Sequence, residues 1–116
     1  MKVIANVAPL SPSYKSSSEL KFAQLAGPLL EAHFESRVMW LAYEPMRFRV
    51  PGGHYTPDFG AVLEDGRMVF VEVKGSRKQK GYRDARSKLR AAAEWYAMFT
   101  WIEVVEEDGF AVEVMG

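Results

Sequence analysis

The stretch Tyr55-Thr56-Pro57-Asp58-Phe59-Gly60-Ala61-Val62-Leu63-Glu64-Asp65-Gly66-Arg67-Met68-Val69-Phe70-Val71-Glu72-Val73-Lys74-Gly75 decides how this chain folds. Two apolar runs, 55–63 and 67–74, flank the turn residues Glu64-Asp65-Gly66, which is the pattern of an antiparallel hairpin. Successive side chains of a strand point to opposite faces, so Glu72 and Lys74 share one face while Val69, Val71 and Val73 point into a core on the other. The turn sets the register. A two-residue loop at Asp65-Gly66 pairs Leu63 with Met68 and puts Asp58 opposite Val73, on the wrong face for Glu72. A three-residue loop, with Gly66 left-handed in a bulge, pairs Leu63 with Arg67 and puts Asp58 directly opposite Glu72. The second register, which brings the two carboxylates together, is the one expected.

Upstream, residues 1–15 read as an N-terminal arm, polar and proline-broken in its later part. A serine among 16–18 can cap a helix beginning near Glu19, since its hydroxyl accepts a bond from a free first-turn amide. Phe22, Leu25, Leu29 and Leu30 follow at helical spacing. Gly27-Pro28 interrupts them and predicts a kink, or a second short helix from Pro28 to about Glu35. A first strand is expected from Val38 onward, with Met46, Phe48 and Val50 alternating against Arg47 and Arg49. Downstream, Ala85, Leu89, Ala92, Ala93 and Tyr96 mark the inner face of a helix over about 82–98. Two closing strands follow, about 100–106 and 110–115, around Glu107-Asp108-Gly109. The order is α-βββ-α-β with an extra C-terminal strand. That is an α/β domain, a mixed central sheet flanked by helices, in a single unit over 1–116.

Composition fits a soluble globular chain, with 48% hydrophobic and 26% charged residues. There is no cysteine, which excludes disulfides and thiolate metal sites and favours a cytoplasmic setting. No run is long and apolar enough for a membrane span, and the N-terminal residues do not read as an export signal. The formal net charge is zero, yet residues 74–90 carry eight cations against the single acid Asp84. A surplus of seven there leaves the rest of the chain acidic by the same amount, a split suited to a phosphate-binding surface. A solvated helix face and loop would show the same charge run.

Glu-x-Lys alone is an ordinary half-buried strand; Asp58 across the hairpin is what changes its reading. Two carboxylates on neighbouring strands form an oxygen-rich site for a hard cation such as Mg2+. Such an ion polarises a scissile phosphate and orients or activates the attacking water. Lys74 adds a point charge beside the phosphate. Arg83, Arg86 and Arg90 recur at helical spacing away from the apolar face, and with Arg77, Lys78 and Lys80 they could track a nucleic-acid backbone. The loop Ser76–Lys80, between Gly75 and Gly81, is expected to order on that backbone.

Pro57-Asp58, a spacer of thirteen residues, and Glu72-Val73-Lys74 together resemble the signature of the PD-(D/E)XK nucleases in its full form. The wider run, Tyr55 to Phe59 with Glu72 to Gly75, resembles the short phage-type endonucleases of that superfamily, junction-resolving and transposon-end-cleaving members included. The resemblance spans about Ser16 to Val105. It implies a restriction-endonuclease-like core and a catalytic set of Asp58, Glu72, Lys74 and a helix acid, best Glu19, with Glu31 and Glu35 as rivals. It also implies metal ligation at Asp58, Glu72 and Val73, with Mg2+ as cofactor and Mn2+ able to substitute. DNA is the implied substrate, in the cytoplasm of a host if phage-encoded, and a homodimer is plausible. Two other readings stay open: a nucleic-acid-binding module on such a fold with little catalysis, and a protein-interaction domain whose basic loop takes an acidic partner. His33, His54, Trp40, Trp95 and Trp101 need no functional role.

Overall fold

A computed structural model describes residues 13–115; residues 1–12 of the expected arm lie outside the described residues. The elements are α1 (Ser17–Phe34), β1 (Val38–Tyr43), β2 (Phe48–Val50), β3 (Gly53–Tyr55), β4 (Phe59–Leu63), β5 (Met68–Lys74), α2 (Tyr82–Trp95), β6 (Thr100–Glu106) and β7 (Phe110–Met115). Five strands form one mixed sheet in the order β1-β4-β5-β6-β7, and β2 with β3 makes a separate two-stranded ribbon. Among the described strands only β5 and β6 run parallel, joined through α2, because parallel neighbours need a crossover while antiparallel ones need only a turn. None of the described helices is long and apolar enough to cross a membrane.

The hairpin takes the three-residue loop. Phe59 pairs with Val71 and Val62 with Met68, the Leu63 N–H donates to the Arg67 carbonyl at 2.9 Å, and Gly66 has φ +97°. That positive φ is the conformation a bulged turn asks of its last residue, and glycine adopts it without a Cβ penalty.

Each face of the sheet is covered. On one, α1 lays Phe22, Ala26 and Leu30 over Leu41, Phe59, Ala61, Val69, Val71, Val73, Ile102 and Val104. On the other, α2 and the β2–β3 ribbon bury Phe48, Val50, Phe70, Leu89, Ala92 and Trp101. The expectation that Glu72 faces outward is therefore corrected: its face carries a second layer, and Glu72 is buried. Gly60 sits opposite Phe70, whose ring occupies the place of a Cβ: one built there would stand 3.0 Å from Phe70 and 2.8 Å from Pro45.

Four boundary expectations are also corrected. Of the two outcomes expected at Gly27-Pro28, a second short helix does not form: α1 is one continuous helix through them. Pro28 points to solvent, as does Gln24, whose carbonyl it deprives of a donor, so water can satisfy that carbonyl, while Phe22, Ala26 and Leu30 bind the helix to the sheet on both sides. The alternating run through Phe48 and Val50 is not the sheet's first strand; Val38–Tyr43 is, and Phe48–Val50 belongs to the ribbon. The strand expected over 55–63 is broken at Thr56-Pro57-Asp58 into β3 and β4, since proline has no N–H for a central ladder. α2 ends at Trp95, a turn before the expected 98.

Candidate active site

The site forms where β4 starts late and β5 runs on. In the β4–β5 ladder the bonded pairs alternate, Leu63–Arg67, Ala61–Val69, Phe59–Val71, and the next would be Pro57–Val73. Pro57 has no N–H to give the Val73 carbonyl. The Val73 N–H turns instead to Asp58, donating to its Oδ2 at 2.8 Å. The proline thus interrupts the ladder and offers the Val73 carbonyl no donor, while the Val73 N–H holds the Asp58 side chain at the break.

Around this gap the four residues expected to act converge. Glu19, Asp58, Glu72 and Lys74 line one cavity of about 320 Å3, with Lys15, Ser18, Val73 and Gln79. Glu19 reaches it from the first turn of α1, held by Ser16 as N-cap (Ser16 Oγ accepts from the Glu19 N–H at 3.1 Å). Its Oε1 accepts from the Tyr43 hydroxyl at 2.8 Å and from the Lys15 N–H at 2.9 Å. The rivals lie at the other end of the helix: Glu31 accepts from the Val38 N–H at 2.9 Å, and Glu35 is the left-handed C-cap. Glu72 meets Lys74 Nζ at 2.8 Å through one oxygen and the Tyr55 hydroxyl, a short contact, through the other.

The electrostatics are those of an acid pair short of positive charge. Burial, then the charge of Glu72, pushes the Asp58 carboxyl up from its usual range to about 8, against the pull of the Val73 N–H and Lys74. Burial raises Glu72 as well, against Lys74 and the Tyr55 hydroxyl. Tyr55 is held well above its ordinary range by burial and by Glu72, so it stays a proton donor to that carboxylate. Among the described residues no three His, Cys, Asp or Glu side chains stand together as a closed metal cage. The groups at this cavity that could hold a hard cation are the Asp58 and Glu72 carboxylates and the Val73 carbonyl, all oxygen.

Compared with protein-family models, with curated proteins and with solved structures, the chain has no match. Its function is argued from its own residues.

The basic tract divides. Arg77, Lys78 and Arg83 line a shallow cavity of about 550 Å3 at the start of α2, and Arg83 and Arg90 stand exposed along its outer side. Lys80 is exposed in the intervening turn, which Ser76 and Gln79 staple: Ser76 Oγ accepts from the Lys78 N–H at 3.0 Å, and Gln79 Oε1 from the Gly75 N–H at 3.1 Å. Arg77 also meets Glu107 at 2.9 Å. Arg86 has a different job: its guanidinium bridges Glu103 at 2.7 Å and Glu113 at 2.9 Å, so it is a clasp inside the protein and not an open phosphate contact. Sequence reasoning missed the supporting hydroxyls of Tyr43 and Tyr55, and Lys15. Tyr55 lies inside the quoted motif, but only the break at Pro57 turns it onto Glu72. Tyr43 and Lys15 carry no local signal.

Proposed function

We propose that this chain is a metal-dependent endonuclease of the PD-(D/E)XK type, with a restriction-endonuclease-like core, that hydrolyses DNA phosphodiester bonds, branched and junction DNA being among its candidate substrates. The observation that carries this reading is the cavity shared by Glu19, Asp58, Glu72 and Lys74, in a hairpin whose last ladder pair, Phe59–Val71, adjoins Asp58 and Glu72. Asp58, Glu72 and the Val73 carbonyl would hold Mg2+ or Mn2+. The bound ion would supply Lewis acidity toward the phosphate and lower the pKa of the attacking water.

The chain's own groups do the rest. Lys74, 11% exposed and fixed on Glu72, is a preorganised positive charge for the extra negative charge of the five-coordinate phosphorus. Glu19 is anchored through Oε1 by Tyr43 and the Lys15 N–H, an arrangement suited to orienting the water in line. The water oxygen gives up a proton to solvent as it bonds to phosphorus, the bond to the leaving oxygen breaks, and that oxygen takes up a proton from solvent. Tyr55 keeps Glu72 turned toward the gap. Arg77, Lys78, Lys80, Arg83 and Arg90 give the outer surface the charge to hold a DNA backbone close to it.

The test is Mg2+-dependent cutting of plasmid and of labelled branched, flapped and linear DNAs. The expected result is cleavage by the wild type and a loss of about a thousandfold or more in Asp58→Ala and Glu72→Ala, as for removal of a preorganised electrostatic group. Tight DNA binding with no cutting under any divalent ion would replace the reading with that of a binding module. Neither binding nor cutting would leave an interaction domain.

A further inference from the structure

We propose that Lys15 is a second phosphate-contacting cation of this site, held on Glu44 in the free protein and transferred to the DNA backbone when substrate enters. The inference rests on the nuclease reading above. Two cavities meet at the acids. One, of about 320 Å3, runs toward Glu19, Lys74 and Gln79, and the other, of about 360 Å3, runs toward His54, Asp84 and Lys88. Three residues line both: Asp58, Glu72 and Lys15. A backbone passing from one cavity to the other over the acids passes Lys15.

Its main chain is fixed and its side chain is not. The Lys15 N–H is shared between Glu19 Oε1 at 2.9 Å and the Tyr43 hydroxyl at 3.3 Å, one residue before the cap of α1. The ammonium meets Glu44 Oε2 at 2.8 Å, with the lysine side chain 70% exposed. An ion pair so open to water is weak and screened by salt, so exchanging Glu44 for a phosphate costs little. Glu44 is itself held in place. It has φ +46°, in the left-handed region, and its N–H donates to the Asp58 carbonyl at 2.7 Å. Such a conformation in a non-glycine persists where its surroundings over-determine it, here next to the proposed metal ligand. The charges agree with this assignment. Glu19, Asp58 and Glu72 face Lys74 and Lys15 in the first cavity, and Lys74 is already bound to Glu72. Lys15 is the exposed cation common to both cavities, at an acidic mouth that a polyanion must approach.

The experiment measures binding of a fluorescent DNA duplex over a salt series without divalent ion, and cleavage with Mg2+, on folded protein verified by its melting curve. Lys15→Ala is expected to lower the slope of log affinity against log salt by about one. It should also cut kcat/KM by about tenfold, the scale of one charge-assisted hydrogen bond. Lys15→Arg should restore the slope. Glu44→Gln should tighten DNA binding, and the gain should be smaller in the Lys15→Ala protein, a coupling that a merely structural lysine would not produce. A wild type that cuts DNA while Lys15→Ala keeps its slope and rate overturns this inference and leaves the nuclease reading standing. A wild type that neither binds nor cuts DNA overturns both.

Discussion

Glu72 and Glu103 are neighbours on one face of the sheet, partners across the parallel strands β5 and β6. Both are buried, each accepts a hydrogen bond from a tyrosine hydroxyl, and each meets one cation: Tyr55 and Lys74 for the first, Tyr82 and Arg86 for the second. There the likeness ends. Arg86 bonds Glu103 at 2.7 Å and extends to Glu113, joining α2 to β6 and β7 with a rigid planar group. Glu72 has a second acid, Asp58, across the hairpin, and both carboxyls are raised by burial. Burial of a carboxylate does not by itself mark a functional site. The balance of its neighbours does: Glu103 has a countercharge of its own in Arg86, whereas Asp58 and Glu72 share a single cation, Lys74.

The largest expected effect breaks or supports this contrast directly. Glu103→Ala removes one partner of a buried ion pair and should destabilise the protein by about 3 kcal/mol or more in urea unfolding. Glu72→Ala removes an acid that repels Asp58 and should cost far less. Equal losses would show that both glutamates are structural.

The pH dependence comes next. Unfolded Asp58 loses its proton near its ordinary value of 3.8, while the folded protein keeps it up to about 8, so the folded state binds more protons across that window. Stability of the metal-free protein should therefore fall as pH rises from about 4 to about 8, with a slope of up to about 1.4 kcal/mol per pH unit for one proton. Asp58→Asn, which keeps an acceptor for the Val73 N–H, should flatten that fall. Calorimetry with Mn2+ sharpens the point: the ion must displace the retained proton, so affinity and proton release should both change between pH 6 and pH 8, affinity rising. A pH-independent unfolding curve over this window would contradict the charge-deficient pair.

The smallest effect separates the arginines. Arg83→Ala should reduce the salt slope of DNA binding by about one with little change in melting temperature. Arg86→Ala should do the reverse, lowering the melting temperature while leaving the slope near that of the wild type.

Much of the hairpin was legible in the residues. Gly66 could complete a three-residue loop, and that loop alone sets Asp58 opposite Glu72, as the pairing of Phe59 with Val71 bears out. The serine cap, the α2 core positions Leu89, Ala92 and Ala93, and the closing strands follow from period and punctuation in the same way. The continuity of α1 was not legible, because whether Pro28 breaks a helix depends on which side of it faces water. The separate β2–β3 ribbon was missed for a related reason: a short alternating strand looks the same in the main sheet and beside it.

The sequence by itself narrowed the hairpin to two registers and supplied the candidate acids and Lys74, because these depend on spacing along one chain and on a turn of a few residues. Only the tertiary structure decided that Glu72 is buried and Arg86 engaged, that Glu19 outranks Glu31 and Glu35 by position, and that Tyr43, Tyr55 and Lys15 stand around the gap. Those outcomes depend on which surfaces α1, α2 and the ribbon cover, and burial, charge balance and pKa come from neighbours far apart in the chain, such as Lys15 and Glu44 or Arg86 and Glu113.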